Sequence, residues 1–172
     1  MIILKKVIVS LLAFAIILPS CSKSRKVEKA IEGWWSIDTI YYKNRNIRIC
    51  LGNNVLQFRK GDNSELPAAK NNCGSFIKDS YSTTAHIEVL ESELANDTIP
   101  LRLKIVTKNE IFAGTHKIVF YKDELNQLLK MEVYSDSLYI VCRKGLFNLS
   151  SNLALVNELE KISWTTRPKS AR

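Results

Sequence analysis

The sequence predicts a mainly β chain: an antiparallel up-and-down β-barrel of eight or nine strands, with a short helix before the first strand and one amphipathic helix after the last. Three observations carry that expectation. Short runs rich in β-branched and aromatic residues alternate apolar with polar side chains. Clusters of Gly, Asn, Asp and Ser separate these runs at short intervals. Only after Ser150 does the apolar spacing lengthen from two to that of a helix.

Ahead of the strands, Lys5 and Lys6 precede an apolar run from Val7 to Leu18. The run falls short of the roughly 18 residues a membrane span needs and has the basic n-region and short h-region of a secretory signal. Its end, Leu18-Pro19-Ser20-Cys21, resembles the bacterial lipoprotein signal. That resemblance implies cleavage before Cys21 and acylation of its thiol, with several acyl chains forming a stable anchor. The flavour of the chain is similar to lipoproteins of Bacteroidota-type envelopes. The basic stretch Ser22-Lys23-Ser24-Arg25-Lys26 lacks the acidic residues of surface-exported members, which points to an outer-membrane, periplasm-facing location.

The expected organisation is a signal peptide over residues 1–20, a lipidated tether over 21–26, one β domain over 27–164 that includes the last helix, and a disordered tail over 165–172. Without its signal the chain keeps about 150 residues, the ordinary size of one domain with a full core. The net charge of +8 falls when Lys5 and Lys6 leave but stays basic. In an exported chain whose basic residues gather at its two ends, this fits membrane headgroups better than nucleic acid, and no nucleic-acid partner is expected.

Taken in order, Val27, Ala30 and Ile31 share one side of a helix over 27–32, which Gly33 ends. Residues 34–42 form the first strand, with Trp35, Ile37, Thr39 and Tyr41 on one face. Strands over 46–51 and 55–60 flank a hairpin turn at Gly52-Asn53-Asn54. Residues 61–75 read as the longest loop, of the kind that serves as a binding lid or is simply mobile. The stretch 76–90 is too long for one flat strand and bends or breaks near Asp79-Ser80. Strands follow over 101–105, 115–122, 128–134 and 138–143. In the penultimate one, Leu129, Met131 and Val133 oppose Lys130, Glu132 and Tyr134, so one face is buried and the other wet. Ser150 or Ser151 caps the final helix, whose stripe is Leu153, Val156, Leu159 and Ile162.

This order resembles the lipocalin, or calycin, plan. Gly33-Trp34-Trp35 is similar to the Gly-x-Trp of the first lipocalin strand, and the resemblance implies that Trp35 packs under the barrel floor. It also implies a basic residue late in the barrel that stacks on the tryptophan, with Arg143 as the counterpart.

Cys50, Cys73 and Cys142 remain after Cys21, and an exported chain favours pairing. Strand alternation turns Cys50 outward with Arg48, the polar loop frees Cys73, and Cys142 shares the inward face with Leu138 and Ile140. The expectation is a Cys50–Cys73 disulfide and a buried Cys142 thiol.

The sequence carries little chemistry. His86 and Glu88 share a strand face, but two ligands do not hold zinc, and they oppose Ala85, Ile87 and Val89 as a solvated face does. His116 shares parity with Ile118 and Phe120 and points inward, as a ligand contact or a hydrogen-bonded core histidine. Asp123-Glu124 reads as a turn. No nucleophile motif, phosphate loop or cofactor signature occurs, and neither cofactor nor metal is expected. Trp34, Tyr42, Tyr81, Tyr121, Tyr134 and Tyr139 suggest an outer aromatic stripe. The function expected is non-enzymatic: a membrane-anchored module binding a small apolar or amphipathic ligand in the barrel mouth, or alternatively a lipoprotein without a cavity that contacts another envelope protein.

Overall fold

The computed structural model describes residues 23–60, 63–70, 82–91, 101–123 and 128–145, with side chains from residue 27 onward. They form one helix, α1 (Lys23–Ile31), and nine strands: β1 (Gly33–Tyr42), β2 (Arg45–Asn46), β3 (Val55–Phe58), β4 (Ser64–Glu65), β5 (Thr84–Glu91), β6 (Leu101–Val106), β7 (Gly114–Lys122), β8 (Leu129–Tyr134) and β9 (Leu138–Lys144). All pairings are antiparallel, and β1 pairs with β9 as well as with β2 and β3, which closes the sheet. The architecture is a closed eight-stranded barrel with one extra strand, as the sequence predicts. The signal, Cys21, the expected final helix and the tail lie outside the described residues.

The extra strand has a local cause. β2 and β3 pair with successive parts of β1, Tyr41 with Asn46 and Ser36 with Val55, so they are one strand interrupted by residues 47–54. The interruption includes a turn of 3-10 helix, Arg48–Cys50. Asparagines stand at its two ends. The Asn46 Oδ1 accepts from the Arg48 N–H at 3.0 Å and the Asn53 Oδ1 from the Val55 N–H at 3.3 Å, side-chain mimics of a backbone turn that draw the chain out of the ladder.

This corrects the sequence reading in two places. No continuous strand runs over 46–51, so its alternation does not apply: Ile49 is 83% exposed, while Cys50 is buried. The tight hairpin lies at Lys43-Asn44 rather than at 52–54. Both residues have positive φ, 49° and 63°, the twist that a two-residue hairpin loop requires.

β1 departs from simple alternation as well. Its register against β9 shifts between Ile37 and Thr39, so Asp38 is an extra, bulged residue. Beyond the bulge the faces exchange. Ile40 and Tyr42 are buried and Tyr41 is exposed, the reverse of the expected inward Thr39 and Tyr41. The bulge turns Asp38 outward, where its carboxylate lies 3.4 Å from Arg143 and 4.0 Å from Lys130.

α1 begins at Lys23, four residues before the expected start, so most of the presumed tether is helical. Lys and Arg are good helix formers, and the charge that suggests a flexible linker is compatible with an amphipathic helix. Val27, Ala30 and Ile31 are its buried face, packed against β5. Gly33, at φ 110°, ends the helix in a conformation closed to other residues. The expected 61–75 loop is partly sheet. β4 bridges β3 and β5, Ala69 pairs with Leu51, and Leu66 is buried. Residues 71–81, including Cys73, lie outside the described residues.

Candidate functional site

The inside of the barrel is the first place to look for a ligand. The inward side chains include Trp35, Ile37 and Ile40 of β1, Leu103 of β6, Met131 of β8 and Ile140 of β9, each 0–1% exposed. Trp35 meets Phe120 of β7 at 6.2 Å between ring centroids. A void wide enough for a ligand leaves its lining accessible, and these side chains are not. Ile87 of β5, only partly buried against the core, is the exception.

Each end of the barrel is capped. At the α1 end, the Trp35 indole N–H donates to the Ile31 carbonyl at 2.7 Å. The Lys144 Nζ donates to the Ala30 carbonyl and lies 5.4 Å from the Trp35 ring centroid, within cation–π range. Trp35 therefore takes the floor position expected of it. The basic residue over it is Lys144, not Arg143, which points outward to Asp38. Burial draws the Lys144 amine down to about 8, and the Glu32 carboxylate opposes that shift.

The opposite end is closed by the β6–β7 connection. Asn109, with no exposed surface, donates from its amide to the carbonyls of Pro67 at 3.2 Å and Ser82 at 2.9 Å. Its Oδ1 accepts from the Ile111 N–H at 3.2 Å. One side chain thus pins three segments and presses Ile111 and Phe112 into the core. Beside it the Tyr42 hydroxyl donates to Glu110 at 2.8 Å, and Lys43 reaches the same carboxylate at 3.1 Å. Burial, chiefly, raises the Tyr42 phenol above its ordinary value.

His116 points inward as expected and is a hydrogen-bonded core histidine. Its Nε2 lies 2.9 Å from the Phe112 carbonyl, so that nitrogen carries the proton, and Nδ1 accepts from the Ser135 hydroxyl at 3.1 Å. A hydroxyl on an imidazole is the first half of a nucleophilic site. The Ser135 N–H is bonded to the Leu138 carbonyl at 2.8 Å and so is not itself available as an oxyanion donor. Burial lowers the His116 pKa.

His86 and Glu88 lie on the outer, partly exposed side of β5, where Glu88 pairs with Lys104 of β6 at 3.3 Å. Among the described residues no group of three or more His, Cys, Asp or Glu is placed to hold a metal ion, and no helix is long and apolar enough to cross a membrane. Asp123 pairs with Lys130 at 2.5 Å. The expected aromatic stripe divides. Tyr42 is buried inside, Tyr81 lies outside the described residues, Trp34 is exposed, and Tyr41, Tyr139 and Tyr134 are register partners across β1, β9 and β8.

Among the described cysteines, Cys142 is free and buried, while Cys50 is not a free thiol. Burial, reinforced by Asp38, raises the Cys142 thiol well above its ordinary value. No family model, curated protein or solved structure matches the chain. The closed antiparallel barrel is consistent with a lipocalin-like fold.

Proposed function

We propose that this chain is a bacterial envelope lipoprotein, acylated at Cys21 and held on the periplasmic side of the outer membrane, whose barrel works without catalysis as a protein-interaction module. The observation that carries this reading is the burial of described inward side chains. Trp35, Ile37, Ile40, Leu103, Met131 and Ile140, at 0–1% exposure, support an outer working surface. The contact point assigned is the knuckle around Ile49, 83% exposed on a short turn of 3-10 helix and flanked by Arg48 and Lys70. Lys70 donates from Nζ to the Ile49 carbonyl at 3.3 Å and from its backbone to the Cys50 carbonyl at 2.7 Å. An exposed apolar side chain between two basic residues is suited to anchor in a pocket on an acidic partner.

A Cys50–Cys73 disulfide belongs to the same proposal. The backbone bond between Cys50 and Lys70 puts Cys73 only three residues of chain away, within easy reach of the roughly 5.5–6 Å Cα separation a disulfide favours. It would staple the knuckle that carries Ile49.

The ligand-binding reading keeps one specific support, the partly buried inward Ile87 where the wall narrows at β4. Photo-crosslinking in intact cells from a probe at Ile49, with native mass spectrometry of the purified protein, separates the two. One stoichiometric envelope protein captured at Ile49, and no co-purified small molecule, is expected. A retained apolar molecule without capture would overturn the interaction reading.

A further inference from the structure

The helical start of the described chain changes how the barrel meets a membrane. Cys21 precedes Lys23, the first helical residue, by two positions, a reach of about 7 Å when fully extended. Val27, with no exposed surface, lies one turn further on, about 6 Å along the helix axis. An acylated Cys21 is therefore tied within about 13 Å of the hydrophobic core. The helix cannot swing. Val27, Ala30 and Ile31 are buried, and Lys144 and Trp35 hold the carbonyls of Ala30 and Ile31. A rigid link this short fixes which end of the barrel faces the bilayer.

That end presents the chemistry of a headgroup layer. Trp34, at the start of β1, is 47% exposed, and its register partner on β3 is Gln57. Arg59 lies along the same outer face, its guanidinium 2.7 Å from the Gln57 Oε1 and 3.2 Å from Glu65, with Lys60 exposed beside it. The α1 sequence carries Lys23, Arg25, Lys26 and Lys29 against the single acid Glu28. Tryptophan favours the bilayer interface because its ring is apolar and its N–H polar, and basic side chains favour anionic headgroups.

We propose that the α1 end of the barrel is seated on an anionic lipid surface, with Trp34 at headgroup depth and Lys29, Arg59 and Lys60 against the headgroups. This rests on the reading of Cys21 as lipid-modified. The barrel stands on the membrane in one orientation, with Asn109 and the β6–β7 connection directed away from it.

The test uses the full chain, produced in a lipid-modifying host and reconstituted into phosphatidylglycerol vesicles brominated near the acyl carbonyls. Tryptophan emission is compared between wild type and Trp34→Phe, so that signal from Trp35 and Trp164 cancels. The expected result is bromine quenching that falls at least twofold in Trp34→Phe. The triple variant Lys29→Glu, Arg59→Glu, Lys60→Glu is expected to lower the quenching of Trp34 similarly, with flotation unchanged. Equal quenching in wild type and Trp34→Phe, on protein that floats with the vesicles, overturns the seated orientation and leaves the lipid anchor standing. Protein that does not float overturns both. Trp34 shielded from bromine by a co-purified protein also overturns the proposal.

Discussion

The indole N–H of Trp35 and the carbonyl of Ile31, 2.7 Å apart, join the first strand to the helix before it inside a region with almost no exposed surface. Trp35→Phe keeps an aromatic ring but leaves that carbonyl without its donor. A buried unsatisfied group costs about 1–3 kcal/mol, and the smaller ring adds a void. Urea denaturation is expected to show a lower midpoint, and amide exchange over 27–31 a loss of protection. Unchanged exchange in the helix would show that the bond does not hold α1.

Asn109 is expected to be the most sensitive polar position. Asn109→Ala strands the Pro67 and Ser82 carbonyls and the Ile111 N–H, for a loss of about 2–4 kcal/mol. Asn109→Asp keeps an acceptor for Ile111 but turns an anion on two carbonyls, so it should be no milder. Thermal unfolding of both variants checks this; a Tm within a degree of wild type would contradict it.

His116 makes stability depend on mild acid. Its folded pKa lies below the ordinary 6.5 because burial disfavours the imidazolium, so the unfolded chain binds more protons as the pH falls. Stability from this site is full above pH 6.5 and is lost progressively below it, towards the lower folded value. In His116→Gln the stability difference between pH 7 and pH 5 should shrink relative to wild type. An identical pH slope would assign the acid sensitivity elsewhere.

Lys144 acts at the other end of the scale. Its amine titrates near 8 in the folded protein against an ordinary 10.5. Between those values the unfolded chain holds more protons, so this site contributes stability that rises with pH across that window. The neutral amine still donates to the Ala30 carbonyl. Subtracting a Lys144→Met curve from the wild-type curve should leave a rise between pH 8 and 10.5, and a flat difference would count against a buried amine.

The thiols give a counting experiment. With Cys21 acylated and Cys50 paired with Cys73, unfolded oxidised protein should react at Cys142 alone, and reduced protein at all three remaining cysteines. Cys73→Ser should destabilise by about 3 kcal/mol, less any native strain. Native Cys142, buried with a raised pKa, should resist alkylation until the barrel opens.

Much of the barrel was legible because alternation survives wherever a strand is regular, as in β6 and β9; in β8 the face expected to be wet is not, since Glu132 is buried between Met131 and Val133. It fails where one polar residue changes the count. Asp38 inserts a residue between Ile37 and Ile40, whose spacing of three already departs from a strand period. Asn46 and Asn53 divert what reads as a plain strand, and with it the faces assigned to Ile49 and Cys50. The floor cation was also within reach, since Lys144 continues the inward parity of Leu138, Ile140 and Cys142 while Arg143 breaks it. Asn109 is different. Two of its three partners, the carbonyls of Pro67 and Ser82, lie 42 and 27 residues away in sequence, and no local pattern announces a residue whose role is to join them.

The seam between β1 and β9 sets a condition on how this protein is made. Ile37 pairs with Cys142, about one hundred residues later, and contacts of that separation form slowly because a long loop must close first. During synthesis β1 emerges early and waits for its partner until almost the whole domain has been made. Until then its Trp34-Trp35 segment is an open edge, where mispairing and aggregation compete with closure of the barrel.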